Sequence, residues 1–161
     1  RVMNINYYGA IYMTKAFLPY LLQRPEAHIV NISSMGGFLP VPGQTIYGSS
    51  KAAIKLFTEG LHSELKDTSV GVTVVFPGAT ATNITVNSGL MTKEEQANLK
   101  SGHTIMNPAD AAAATIIDAM EKNKYRVMVG KDAKMMDIYS RLMPEKAANL
   151  IYKSMKNLVP K

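Results

Sequence analysis

From Val2 to about Gln23, apolar residues recur at steps of three and four: Val2, Ile5, Met13, Ala16, Phe17, Tyr20. That spacing predicts a helix buried on at least one face, and Pro25 stops it. Residues 28–33 (HIVNIS) are short and β-branched, which predicts a strand. A second helical stretch runs from about Thr45 to Lys66 through Ala52, Ala53, Leu56, Phe57, Leu61 and Leu65. Residues 71–76 (GVTVVF) are almost continuously apolar, as expected of a strand covered on both faces. Pro77-Gly78 ends that strand and opens a loop to about Asn107, with a short helix predicted over Lys93–Leu99. Asn107-Pro108-Ala109-Asp110 reads as a helix start, with Asn as cap, Pro in the first position and an acid in the first turn. A third strand is predicted over 125–129, closed by Gly130, followed by amphipathic helix over 131–161 with a break at Pro144. Strands alternating with helices of these lengths predict an α/β fold, a doubly wound, mostly parallel sheet with helices on both faces.

Length and composition fit one soluble, globular domain: 161 residues, 47% hydrophobic, 19% charged. No apolar run approaches the ~20 residues of a membrane span. No cysteine is present, which excludes disulfides, thiolate nucleophiles and cysteine metal sites, and fits a reducing, cytoplasmic location. The formal charge of +6 is spread along the chain, with a mild concentration at Lys146, Lys153, Lys156 and Lys161. Without a basic run interleaved with aromatics, it argues for attraction to anionic small ligands and against nucleic acid. His28, His62 and His103 lack metal-ligand spacing and are expected in packing or surface roles, so no metal is predicted.

In an open parallel sheet, ligands sit beyond the carboxyl ends of the strands. Ser33-Ser34 follows the first strand, Pro77 to Thr82 follows the second, and Tyr47 lies in the first turn of the helix between them. Tyr47 and Lys51 are four residues apart and share a helix face. A free phenol titrates near ~10, and a nearby ammonium favours its ionised form. Tyr47 could then give a proton to a carbonyl oxygen or take one from an alcohol, with Ser34 bonded to that oxygen. The pair alone is weak: eight tyrosines among many lysines give roughly one such spacing by chance. Tyr152 with Lys156 is such a decoy, following no strand and having Tyr139 thirteen residues upstream where Tyr47 has Ser34.

These residues together resemble the short-chain dehydrogenase/reductase family, in its shorter, single-domain branch. Tyr47-x-x-x-Lys51, Ser34 thirteen residues earlier, Asn6 in Asn-Tyr-Tyr-Gly, and Pro77-Gly78-x-x-x-Thr82 carry the resemblance. It implies a Rossmann-like fold and hydride transfer between NAD or NADP and a small carbonyl or alcohol substrate. Tyr47 would be the general acid/base and would also touch the cofactor, and Lys51 would lower its pKa and hold the nicotinamide ribose. Ser34 would orient the substrate, and Asn6 would support a water relaying protons to Lys51. Pro77, Gly78, main chain at Ala79 and Thr80, and the Thr82 side chain would grip the carboxamide end of the cofactor. The family's Gly-rich phosphate turn is not found, so residues 1–130 are expected to be the catalytic half of the domain, its N-terminal cofactor-binding half preceding Arg1. Residues 131–161 form a C-terminal helical extension.

The stretch from Asn83 to Met106 is expected to be a substrate lid. Met35, Met91 and Met106 are expected in core or at a substrate wall, and Ser33 in satisfying backbone at the strand end. Tyr7, Tyr8 and Tyr12 suit packing or subunit contacts. The first two long helices resemble the family's dimer-forming pair, which implies a homodimer or homotetramer. A second reading of the same residues is a non-catalytic scaffold that only self-associates.

Overall fold

A computed structural model describes residues 1–87, 89, 92, 94 and 106–156 of the chain. Three parallel strands, β1 (Ala27–Ile32), β2 (Val70–Pro77) and β3 (Arg126–Val129), form one sheet in the order β1-β2-β3. Ile29 lies opposite Val72, and Val75 opposite Val127, so each layer of side chains runs across the sheet. Among the described residues the longer helical elements are α1 (Gly9–Leu21), α2 (Thr45–Glu64), a four-residue α3 (Ile84–Asn87), α4 (Ala109–Glu121), α5 (Lys131–Leu142) and α6 (Pro144–Met155).

The helices cover both faces. On one, Leu61 and Leu65 at the end of α2 pack on Val70 and Val72, joined by Leu18 and Leu21 of α1. On the other, Ala112 and Ile116 of α4 pack on Val30, Val75, Val127 and Val129. The apolar run of β2 is therefore buried on both sides, as its composition predicts. The α5–α6 pair docks through Met136 and Ala147 onto Leu39, just past β1, with Met35, Phe38, Tyr139 and Ile151 around them. Buried Asp137 of α5 accepts from Arg126 of β3 at 2.6 Å and from Arg141 at 2.8 Å, tying α5 to the sheet.

Three local expectations are corrected. The first helix is not uniform: Asn4–Tyr8 is a π-turn, in which the Gly9 N–H bonds the Asn4 carbonyl. Asn107 does not cap α4; its side chain donates to the Ala79 carbonyl instead. The segment after β2 contains the short α3, which periodicity did not predict. Of the helix expected over Lys93–Leu99 only Glu94, which is helical, is among the described residues; the rest of it, with Met91 and His103, lies outside them. Met35 packs among core residues. His28 bonds Thr73, and His62 packs edge-on to Tyr125.

Candidate active site

At the carboxyl end of β1 the chain turns through Ser34, which is extended (φ −169°, ψ 163°), into a single 3-10 turn over Met35–Gly37. The Gly36 N–H donates to Ser34 Oγ at 3.2 Å, fixing the hydroxyl at the sheet edge. Next to it, buried Ser33 donates to the Lys51 carbonyl at 2.7 Å, so the strand end is bonded to the second turn of α2. That close approach requires a glycine at 37. A Cβ there would stand 2.7 Å from Ser33 Oγ and 2.9 Å from the Lys51 carbonyl oxygen. Helix α2 thereby presents Tyr47 to the turn carrying Ser34. From a Cβ built on Gly36, the Tyr47 ring edge is 3.4 Å away and Ser34 Oγ 3.7 Å.

Lys51 lies one turn further along α2. Its ammonium donates to the Ile32 carbonyl at 2.9 Å and sits 5.8 Å from the centroid of the Tyr47 ring. Burial lowers the Lys51 pKa from its ordinary 10.5, because removing the ammonium from water disfavours the charged form. Asn6, in the π-turn, donates through Nδ2 to Ser50 Oγ at 3.0 Å, and Ser50 donates to the Tyr47 carbonyl at 2.6 Å. The π-turn is thus connected to the backbone between Tyr47 and Lys51 through a serine that sequence reasoning missed. Its signal, a small hydroxyl on the buried stripe Ser50-Ile54-Thr58-Leu61, is visible only once α2 is docked.

The structure therefore gathers Ser34, Tyr47 and Lys51 at the end of β1, while Asn6 reaches the same stretch of α2 through Ser50. Pro77, Gly78, Ala79 and Thr80 leave the end of the neighbouring strand β2. Thr80 donates through its hydroxyl to the Gly78 carbonyl at 3.0 Å and bridges Asn107. Thr82 is exposed beyond that bridge. Tyr152 of the decoy pair is exposed on α6. Among the described residues no cluster of His, Asp and Glu could hold a metal ion, and no helix is long and apolar enough to cross a membrane.

A parallel sheet between two helical layers, with a hydroxyl, a phenol and an ammonium at its carboxyl edge, defines a Rossmann-like protein. The sequence profile of the short chain dehydrogenase family matches residues 1–93. The chain belongs to that family. The Mycobacterium tuberculosis protein SadH, an oxidoreductase by name, is 33% identical over 165 aligned residues, covering 99% of this chain and 60% of SadH. Dehydrogenase/reductase SDR family member 7B of Rattus norvegicus is 35% identical over 143, covering 89% of this chain and 44% of that protein. The chain thus spans about half the length of the relatives it matches. Among solved structures, a short chain dehydrogenase from Burkholderia cenocepacia in complex with NADP superposes with a TM-score of 0.77. It is 23% identical, with 92% of this chain and 56% of that one covered. One from Burkholderia phymatum in complex with NAD gives 0.73 at 22% identity, covering 89% and 57%. At these identities the structural likeness establishes the fold.

Proposed function

We propose that the protein carrying this chain is an NAD- or NADP-dependent oxidoreductase that interconverts a secondary alcohol and a ketone. The observation that carries the reading is the shared approach of Ser34 and Tyr47 to Gly36, with the Lys51 ammonium beside the Tyr47 ring. Ser34 Oγ bonds the substrate oxygen, and Tyr47 gives a proton to that oxygen in reduction or takes it from the alcohol in oxidation. The half-desolvated Lys51 ammonium stabilises negative charge developing on the phenol oxygen. A bound nicotinamide supplies the hydride chemistry. Lys51 would hold its ribose, and the loop of Pro77, Gly78, Ala79, Thr80 and Thr82 on the neighbouring strand end would line its carboxamide. The residues fit such a group: both sets leave adjacent strand ends on the edge where open α/β sheets bind ligands. The neighbours solved with NADP and with NAD support the same cofactor class.

Tyr47→Phe in the complete polypeptide tests this. Removing the hydroxyl should lower kcat by about 10²–10⁴-fold, the usual worth of a positioned acid/base, while cofactor titration gives an unchanged Kd. Retention of most of the rate would sink the assignment. A homodimer or homotetramer built on α1 and α2 belongs to the same proposal, supported by the apolar residues those helices expose.

A further inference from the structure

We infer that Asp132, on α5 and far from Tyr47 in sequence, is a positioning residue for the cofactor loop. The inference rests on the oxidoreductase reading above. The Ala79 N–H donates to Asp132 Oδ2 at 2.8 Å, across 53 residues of sequence. The Ala79 carbonyl is occupied as well, accepting from the Asn107 N–H at 2.7 Å and from Asn107 Nδ2 at 3.0 Å. Ala81 closes the bracket by donating to the Asn107 carbonyl at 2.9 Å. Both peptide groups around Ala79 are therefore fixed, one by a carboxylate and one by an amide. Bonds to a charged acceptor are about twice as strong as neutral ones.

The packing around Asp132 is built for that contact. Gly78 and Gly130 flank the carboxylate, and a Cβ built on either would overlap it. Gly130 also has φ +100°, a conformation that favours glycine. An acid in the first turn of a helix is ordinarily explained by the helix dipole alone. Here the carboxylate turns from its own helix to a main-chain donor of the loop after β2. With the Ala79 N–H committed to Asp132 and the Ala81 N–H to the Asn107 carbonyl, Asp132 would act on the cofactor only by fixing the loop main chain at Ala79.

The test compares Asp132→Ala and Asp132→Asn with the parent in the complete polypeptide. It measures NADH and NADPH Kd, the split between kcat and KM for a carbonyl substrate, melting temperature, and amide hydrogen exchange over residues 77–82 without cofactor. Asp132→Ala should weaken cofactor binding about tenfold, the worth of a charge-assisted bond. It should also lose exchange protection at Ala79 and leave the substrate KM unchanged. Asp132→Asn, whose side-chain oxygen still accepts from Ala79, should recover most of the affinity and the protection. A melting temperature that falls while cofactor Kd stays at the parent value would reduce Asp132 to a structural residue and overturn the inference. If Asp132→Ala does not fold, exchange in the parent decides: an Ala79 amide that exchanges freely overturns it. A parent that binds neither NADH nor NADPH overturns the oxidoreductase reading itself. A parent that binds while Asp132→Ala binds equally well overturns the positioning role alone.

Discussion

His28 near the start of β1 is joined through Thr73 of β2 to the segment before β3, at the end of the sheet remote from the candidate site. Thr73 of β2 donates its hydroxyl to the Lys124 carbonyl, just before β3, at 2.6 Å. Its oxygen must then accept from His28 Nε2, 2.8 Å away, so the ring carries its proton on Nε2. Burial lowers the His28 pKa from 6.5, outweighing the opposing pull of Glu26. As pH falls through 6.5 the unfolded chain takes up a proton before the folded one. Stability should be full above 6.5, decline as pH drops toward the lowered folded value, and level off beneath it. Asp118, whose carboxylate is held below its ordinary 3.8 by Lys122 and then Lys124, acts only at more acid pH. Melting curves across pH should show an acid limb just below 6.5 that flattens in His28→Gln; an identical limb in the variant would exclude His28 as its source. The candidate site was legible where its logic is local. Tyr47 and Lys51 announce themselves by spacing along one helix, and Ser34 by its place after a strand. Ser50, Asn107 and Asp132 were not legible, because their partners lie 44, 28 and 53 residues away. Such pairings exist only once the sheet has aligned.

Helix α2 and the turn after β1 behave as one unit, because small residues let their backbones touch. Gly37 faces Ser33 Oγ and the Lys51 carbonyl, and the latter belongs to a helix that cannot give way locally. Gly37→Ala should push the 35–37 turn off α2 and carry Ser34 away from Tyr47. Overpacking of this kind costs about 1–3 kcal/mol of stability, and a displacement near 1 Å between reacting groups costs kcat up to about 10²-fold. Denaturant melts and steady-state rates on the same preparation check both; parent values for both would refute the coupling. At this scale the sequence was informative about the long elements. The strands and α1, α2, α4, α5 and α6 appear within a few residues of their predicted positions, since each buries a stripe of its own period. The π-turn at Asn4–Tyr8 was hidden because widening one turn barely changes an apolar pattern. Asn107 carried a genuine capping signature, but the Ala79 carbonyl offered it a tertiary partner that local rules do not see.

As a whole, the molecule presents an anomaly on α1. A helix lying on a protein surface should turn polar residues outward. Instead Tyr12, Met13, Phe17 and Tyr20 are each more than half exposed, preceded by Ile5 in the π-turn, while Thr14 is the buried residue of α1. On α2, Ile46 and Leu56 are exposed to a similar degree. A helix that is apolar on its outer side is normally covered, and a large exposed apolar patch marks an interface. No helix among the described residues has the length and apolarity to span a bilayer. A second copy of the protein is the occupant that the assembly proposal names, with aromatic side chains of the kind enriched at interface centres. Tyr12→Glu combined with Phe17→Glu should place charge in that face without touching Ser34, Tyr47 or Lys51. In the complete polypeptide the double variant should fall to monomer mass by light scattering at concentrations where the parent is a dimer or tetramer. Its far-ultraviolet circular dichroism should be retained. If a folded variant keeps the parent's mass, α1 is not the subunit contact. If the parent itself is a monomer with this face shielded from hydrogen exchange, another part of the same polypeptide covers it, and the assembly proposal fails.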